Sequence, residues 1–422
     1  MRRPDPVDPR LARLLTAARL DRRGFLRSLG LGSGVLLGGG ALSACGIGGG
    51  AGEGGNGAAT GTPTGTSGVT GTGVTGTGTQ AAGGELNFSN WTLYIDVDEE
   101  DQNVRPTLQQ FTEETGIAVN YFEDINSNDE YFAKIRTQLD AGEDIGRDLI
   151  VLTDWMAGRL VEFGWLSKID HANVPNIANL RSALQDVPFD PERRFSLPWQ
   201  SGMTGIGYNP EIIGREIASV NDLFDPALSG QVTFLSEMRD TMGLMLAAEG
   251  VDPSTHEFSQ YEAAIERLRE AVGSGQVRAF TGNDYAADLA AGNIGAAIAW
   301  SGDVIQSQFE NPDIQFVLPA EGAMLWSDNM LIPANAQNKA NAEALMDFVY
   351  RPEIAAQIAA WVNYITPVEG AREAITEIDP ELAENELIFP SAETLDNTHD
   401  FKQLDEEEER AYQELFQSVI GA

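Results

Sequence analysis

Asp328 stands in the run Trp326-Ser327-Asp328-Asn329-Met330-Leu331, a single carboxylate between a tryptophan and an apolar stretch. An acid beside a buried strand is costly to desolvate unless a cation meets it, so this position asks for a positive partner. Trp91, Tyr94, Trp155, Trp300, Trp326 and Tyr364 supply the other half of such chemistry. All but Tyr364 fall at or just after the carboxyl end of an expected strand, or in the loop beside it, where open α/β sheets present their ligand contacts. Flat rings take methylene groups and cations against their faces, and carboxylates accept N–H bonds from ammonium groups. The combination suits a linear polyamine, an apolar chain punctuated by positive charges. A sugar would want Asn, Gln and Arg beside its tryptophans, and ferric iron would want paired Tyr with His. A quaternary ammonium would use the aromatic residues without Asp328, and an amino acid is a further alternative. Each residue also has an ordinary structural reading: a Trp after a strand is commonly core, and Glu237 and Asp240 suit the first turn of a helix. Asp98 to Asp101 reads as a solvated face.

Several other chemistries lack their residues. The chain has one cysteine, Cys45, and three histidines, His171, His256 and His399, never paired at metal-ligand spacing. Disulfides, thiolate clusters, zinc sites and Cys/His catalysis are therefore not expected, and neither is any metal or cofactor. There is no G-x-x-x-x-G-K-[ST] loop for a nucleotide. No convincing acid and nucleophile pair supports a glycoside hydrolase, so no enzymatic activity is expected. The formal charge is −37; the chain beyond residue 44 carries 19 basic and 61 acidic side chains, or −42. Such a surface repels nucleic acid and favours a cationic ligand, although solubility alone accounts for it equally well.

The elements that must position these residues begin only after a long leader. Asp21-Arg22-Arg23-Gly24-Phe25-Leu26-Arg27-Ser28-Leu29 is followed by a short glycine-broken apolar stretch, and Leu42-Ser43-Ala44-Cys45 closes it. The first resembles a twin-arginine export signal and the second a lipobox, whose cysteine takes a diacylglyceryl group. The stretch is short for a membrane-spanning helix of about 20 apolar residues. From Gly46 to Gly84 the chain is almost wholly Gly, Thr, Ala and Ser, which cannot offset the entropy of ordering and reads as a disordered tether. The expected placement is extracytoplasmic, lipid-anchored to the outer face of the cell membrane: 1–44 signal, 45–84 anchor and linker.

Beyond Gly84 the periodicity predicts alternating elements. Strands are expected at Glu85 to Ser89, Ile117 to Tyr121, Leu149 to Leu152, Gly230 to Leu235, Val277 to Phe280, Gly295 to Trp300, Ile314 to Leu318 and Leu325 to Ile332. Helices are expected at Val104 to Thr115, Phe258 to Val272 and Asn338 to Tyr350, among others. This alternation predicts an α/β fold in two lobes with ligand between them.

Collinear segments over more than 300 residues resemble the spermidine/putrescine-binding proteins of ABC importers, a branch of the type II periplasmic binding proteins. They are Asn90 to Tyr94, Phe111 to Ile117, Asp148 to Thr153, Pro188 to Asp190, Ser196 to Pro198, Trp326 to Asp328, Ile332 to Ala336 and the Ala-Glu-Thr at Ala392. The resemblance implies a two-lobe type II periplasmic-binding-protein fold with a two-crossing hinge, divided as 85–203 with 328–370 and 204–327 with 371–422. It also implies a monomer that captures a polyamine and delivers it to membrane permease subunits served by a separate ATPase subunit. Carried over by position, Trp91, Thr92 and Tyr94 match contacts of the first lobe, and Thr153 and Trp155 stand where relatives use Ser and Tyr. Glu237 and Asp240 match two family acids with Asp and Glu interchanged. Trp300, Trp326, Asp328 and Tyr364 match the aromatic box, its amine-gripping carboxylate and a tyrosine near the second crossing. Leu93 departs from the family, standing where spermidine binders place a glutamate, so one amine contact is missing or comes from elsewhere; Asp96 or Asp154 is a candidate substitute, and without one the site favours a shorter diamine or a ligand with fewer charges.

Overall fold

The computed structural model describes residues 83–421 apart from Glu99 and Ile378. Cys45, the 1–44 segment and the tether up to residue 82 lie outside the described residues.

Among the described residues ten strands form one curled sheet: β1 Gly84–Trp91, β2 Ile117–Ile125, β3 Leu149–Thr153, β4 Ser196–Tyr208, β5 Val232–Leu235, β6 Val277–Thr281, β7 Ala296–Trp300, β8 Gln315–Val317, β9 Ala323–Leu331 and β10 Thr398–His399. The main path runs β2-β1-β3-β9-β4-β7-β5-β6. At one end β1 pairs parallel with β2 and β3, and at the other β5 pairs parallel with β6 and β7. Between these blocks β9 and β4 lie antiparallel to each other, β9 antiparallel to β3, and β4 antiparallel to β7. The result is a mixed α/β fold of two lobes, each a parallel block flanked by helices, joined through two strands that both share.

Local sequence accounts for these elements. All five residues of β3 are buried, as expected of a central strand, parallel to β1 and antiparallel to β9, that is covered on both faces. Helix Pro106–Thr115 starts with proline at its first position, buries Leu108 and Phe111, and ends at Gly116 with φ 75°, a left-handed cap that glycine adopts without a Cβ penalty. The expected strands are present with ends shifted by one to a few residues, as is usual at element boundaries.

The longest strand, β4, carries Pro198 and three glycines, a composition that reads poorly as strand. The glycines answer to close approach instead. A Cβ on Gly202 would lie 2.5 Å from the Trp326 ring and 2.9 Å from Tyr364, and one on Gly205 would lie 2.5 Å from the Val317 carbonyl oxygen. Ser196 to Thr204 pair with β9 and Thr204 to Tyr208 with β7, so β4 runs from one lobe into the other.

Helix Ala371–Thr376 packs on helix Pro352–Val362 beside the first block. The chain returns to the second block with β10, which pairs with Ala323 and Met324, and with helix Glu406–Ile420, which packs on helix Phe258–Gly273.

Candidate functional site

The carboxyl ends of β1, β3 and β7, together with the loop after β5, converge on the centre of the sheet. Trp91 ends β1, Thr153 ends β3, Trp300 ends β7, and Glu237 follows β5 by two residues. Trp326 and Asp328 stand two apart on β9 and so share a face. The cleft where these ends meet is narrow, with about 50 Å³ of accessible space. It is lined by Trp91, Thr92, Leu93, Tyr94, Asn128, Thr153, Glu237, Asp240, Asn283, Trp300, Asp303, Trp326, Asp328 and Tyr364. None of these is Lys, Arg or His.

Asp328 sits at the middle of the cleft with 5% of its surface exposed. Thr153, its register partner across β3 and β9, donates its hydroxyl to Oδ1 at 2.7 Å, and the Tyr94 hydroxyl donates to Oδ2 at 2.9 Å. Asn128 steadies Thr153, donating from Nδ2 to its Oγ1 at 2.9 Å and accepting its backbone N–H at 3.1 Å. Neutral donors alone compensate this carboxylate. Burial pushes its pKa up to about 7, and the charges of Asp154 and Asp240 add to the rise.

The other acids are in the same condition. Asp240 accepts from the Thr204 hydroxyl and from Trp300 Nε1, the latter at 3.0 Å, and burial raises it to about 6. Glu237 accepts the backbone N–H of Asn128 at 3.1 Å, a bond that joins the two lobes; burial, then Asp129 and Asp240, raise it to about 8. Asp303 accepts from the Tyr364 hydroxyl at 2.8 Å, from Asn283 at 2.9 Å and from the Tyr285 hydroxyl at 3.0 Å, and burial raises its pKa.

The rings form a continuous wall. Tyr94 meets Tyr364 edge-on with centroids 5.3 Å apart, and Tyr364 meets Trp326 at 5.5 Å. Their polar atoms are tied away from the faces: Trp91 Nε1 donates to the Val151 carbonyl at 3.1 Å and Trp326 Nε1 to the Thr204 hydroxyl at 3.0 Å. The missing side chains of Gly202 and Gly302 make room for this wall, since a Cβ on Gly302 would lie 2.4 Å from Tyr364.

Ten of the eleven expected site residues line the cleft, and Trp155 does not. It follows Thr153 by two residues, but the chain turns helical at Asp154. Side chains two apart on a helix are about 200° apart, not on one face as in a strand. Trp155 therefore points into a separate cavity, beneath the Arg239 guanidinium. The expected substitutes for the missing glutamate are also elsewhere. Asp96 accepts from the Thr107 N–H and Gln357, and Asp154 from Asn329; both are structural bonds outside the cleft. Leu93 itself lines the cleft in the left-handed region at φ 56°, its N–H held by Glu123 at 2.9 Å. The acid that sequence reasoning missed is Asp303, in the first turn of helix Ser301–Glu310 after Trp300. Asn128 and Asn283 were also unforeseen, being indistinguishable from ordinary cap and loop residues.

Comparison with known proteins agrees with this fold. Residues 107–390 match the family model described as bacterial extracellular solute-binding protein. The spermidine/putrescine-binding periplasmic protein of Escherichia coli is 31% identical over 313 residues, covering 74% of this chain and 85% of that protein. Among solved structures, a Listeria monocytogenes protein provisionally named a spermidine/putrescine ABC transporter is 31% identical with a TM-score of 0.70, covering 79% of this chain and 98% of that one. The Streptococcus pneumoniae spermidine/putrescine ABC transporter substrate-binding protein PotD, solved with calcium and HEPES, is 27% identical with a TM-score of 0.65, covering 79% and 98%. The chain belongs to the bacterial extracellular solute-binding protein family. Members of this family bind solutes without catalysis, and the related proteins are periplasmic receptors of ABC transporters.

Proposed function

We propose that this chain is the solute receptor of an ABC importer and that it captures a linear polyamine, spermidine or putrescine, between its lobes. The observation that carries the reading is the cleft's charge. Asp328, Asp240, Glu237 and Asp303 are brought together with no cationic side chain among the lining residues, and each has been raised by burial. Several desolvated acids without a counter-charge are unfavourable unless a cation arrives. The ligand supplies it: ammonium groups meet the carboxylates, while the methylenes lie against Trp91, Tyr94, Trp300, Trp326 and Tyr364. Leu93 offers only an apolar contact at its end of the cleft, where an acid would have gripped another amine.

In this reading the chain is a monomer whose loaded form docks on permease subunits, with lobes divided at 203/204 and 327/328. It is lipid-anchored through Cys45, and Cys45→Ser moves it from the membrane to the soluble fraction; equal retention would remove the anchor. Isothermal titration with putrescine, spermidine and spermine tests the solute. A binding heat with at least one is expected, and no heat with any of them rejects the polyamine reading.

A further inference from the structure

We propose that Trp155, Arg239 and Glu409 form a latch between the lobes that holds the closed state without touching the solute. Trp155 belongs to helix Asp154–Glu162, which follows β3 of the first block. Arg239 belongs to helix Met238–Ala248, which follows β5 of the second block, and stands between the cleft acids Glu237 and Asp240 in the sequence. Its guanidinium carbon lies 3.8 Å from the centre of the Trp155 ring. Its Nη1 donates to Glu409 Oε1 at 3.1 Å and its Nη2 to Glu409 Oε2. Glu409 lies on helix Glu406–Ile420, seated on the second block by Phe416 against Phe280 and Tyr412 against Tyr261. A two-point grip from a carboxylate fixes the plane of a guanidinium, and here it presents that plane to a ring on the opposite lobe.

A second bond crosses nearby in the same sense. Gln413, one turn beyond Glu409, donates from Nε2 to Asp129 Oδ2 at 2.6 Å, and Asp129 opens helix Asn128–Asp140 of the first block. Trp155, Arg239 and Glu409 are each more than nine-tenths buried, yet they border a cavity of their own, apart from the solute cleft. A cation–ring contact is strongest when desolvated, and it persists only while the lobes are together. Arg239 thus shares its helix with a solute-facing acid, Asp240, and the latch passes the position of that helix to the far lobe. Lying outside the cleft lining, the latch acts on the open–closed balance and leaves selectivity alone; Arg239 also lowers Asp240 through its charge, so Trp155→Leu and Glu409→Gln carry the selectivity test.

The inference rests on the two-lobe fold and not on which solute binds, and two measurements on the full chain separate these. Hydrogen exchange without ligand compares the parent with Trp155→Leu, Arg239→Gln and Glu409→Gln. Faster exchange is expected at 126–131 and 237–241, with β3 and β4 unchanged. Unchanged exchange at the former, or exchange rising equally through β3 and the helix carrying Trp155, overturns the latch in favour of a packing role. Dissociation rates of putrescine and spermidine are then expected to rise about tenfold in Trp155→Leu and Glu409→Gln, by the same factor for both. A factor differing between the two amines, or none, also overturns it. Failure of the parent to bind either amine would remove the polyamine reading and leave the exchange measurement standing.

Discussion

Two groups of acids in this molecule have opposite surroundings. Asp124, near the end of β2, is met by Lys134 Nζ at 2.8 Å and Arg147 Nη2 at 3.0 Å, and its pKa is lowered despite partial burial. The cleft acids are met by hydroxyls, an indole, a side-chain amide and a backbone N–H, and every one of them is raised. Both arrangements satisfy hydrogen bonds; only the first satisfies charge. In a strongly acidic chain, the informative acids are those that folding gathers and then leaves without a cation. In the function proposed above, the solute supplies their counter-charge.

The largest effect expected from this contrast follows Asp328→Asn, which keeps the shape and removes the charge at the centre of the cleft. Affinity for the preferred polyamine is expected to fall about 100-fold, or ~3 kcal/mol, by titration calorimetry. A change within a factor of three would break the comparison, since Asp328 would then be no more important than a surface acid.

pH gives an intermediate effect of definite sign. Burial holds Asp240, Asp328 and Glu237 at folded pKa values of about 6, 7 and 8, above the roughly 4 of an unfolded carboxyl. Between those values the folded, empty protein holds protons that the unfolded chain has lost, so its stability falls as pH rises from about 4 to 8. A bound cation favours the ionised acids and opposes that loss. Melting curves should therefore show the empty protein weakening from pH 5 to pH 8 while the shift caused by ligand grows. Affinity should rise at least about tenfold over the same range with proton release, visible as a dependence of binding heat on buffer; a pH-independent affinity would contradict it.

The smallest effect is expected on the paired side. Lys134→Ala removes one of two cations from Asp124, and the lysine side chain is 54% exposed. Stability is expected to fall by ~0.5 kcal/mol in denaturant melts, with solute affinity within twofold. A large loss of affinity would mean that the two groups of acids are coupled.

Much of this was legible in the sequence because chemistry and strand ends coincide. Trp91 and Thr153 fall just after expected strands and Trp300 closes one, and a strand end in an α/β sheet points to the cleft whatever the details of packing. Trp155 shows where that logic stops: a single change from strand to helical geometry at Asp154 carried its ring into another cavity. Asp303 was hidden for the reverse reason, since an acid in a helix's first turn is already accounted for by the dipole, and nothing local distinguishes one that also faces a ligand. Strand β4 was illegible because its glycines are set by groups far along the chain: Gly202 by the Trp326 and Tyr364 rings, Gly205 by the Val317 carbonyl and Gly207 by Val304. The left-handed turn at Leu93 depends on Glu123 of a neighbouring strand, which no local pattern reveals.

The strands shared by the lobes have a consequence for the order of events in capture. When one half of a body rotates about elements common to both, each atom travels in proportion to its distance from the axis. Asp328 and Trp326 lie on β9 itself and Thr204 on β4, so they are near the fulcrum and keep their mutual geometry through the swing. The Glu237 to Asn128 bond lies between elements on opposite arms and is made or broken by it. An arriving solute therefore meets a finished half-site at the pivot, and the remaining contacts are brought to it by leverage.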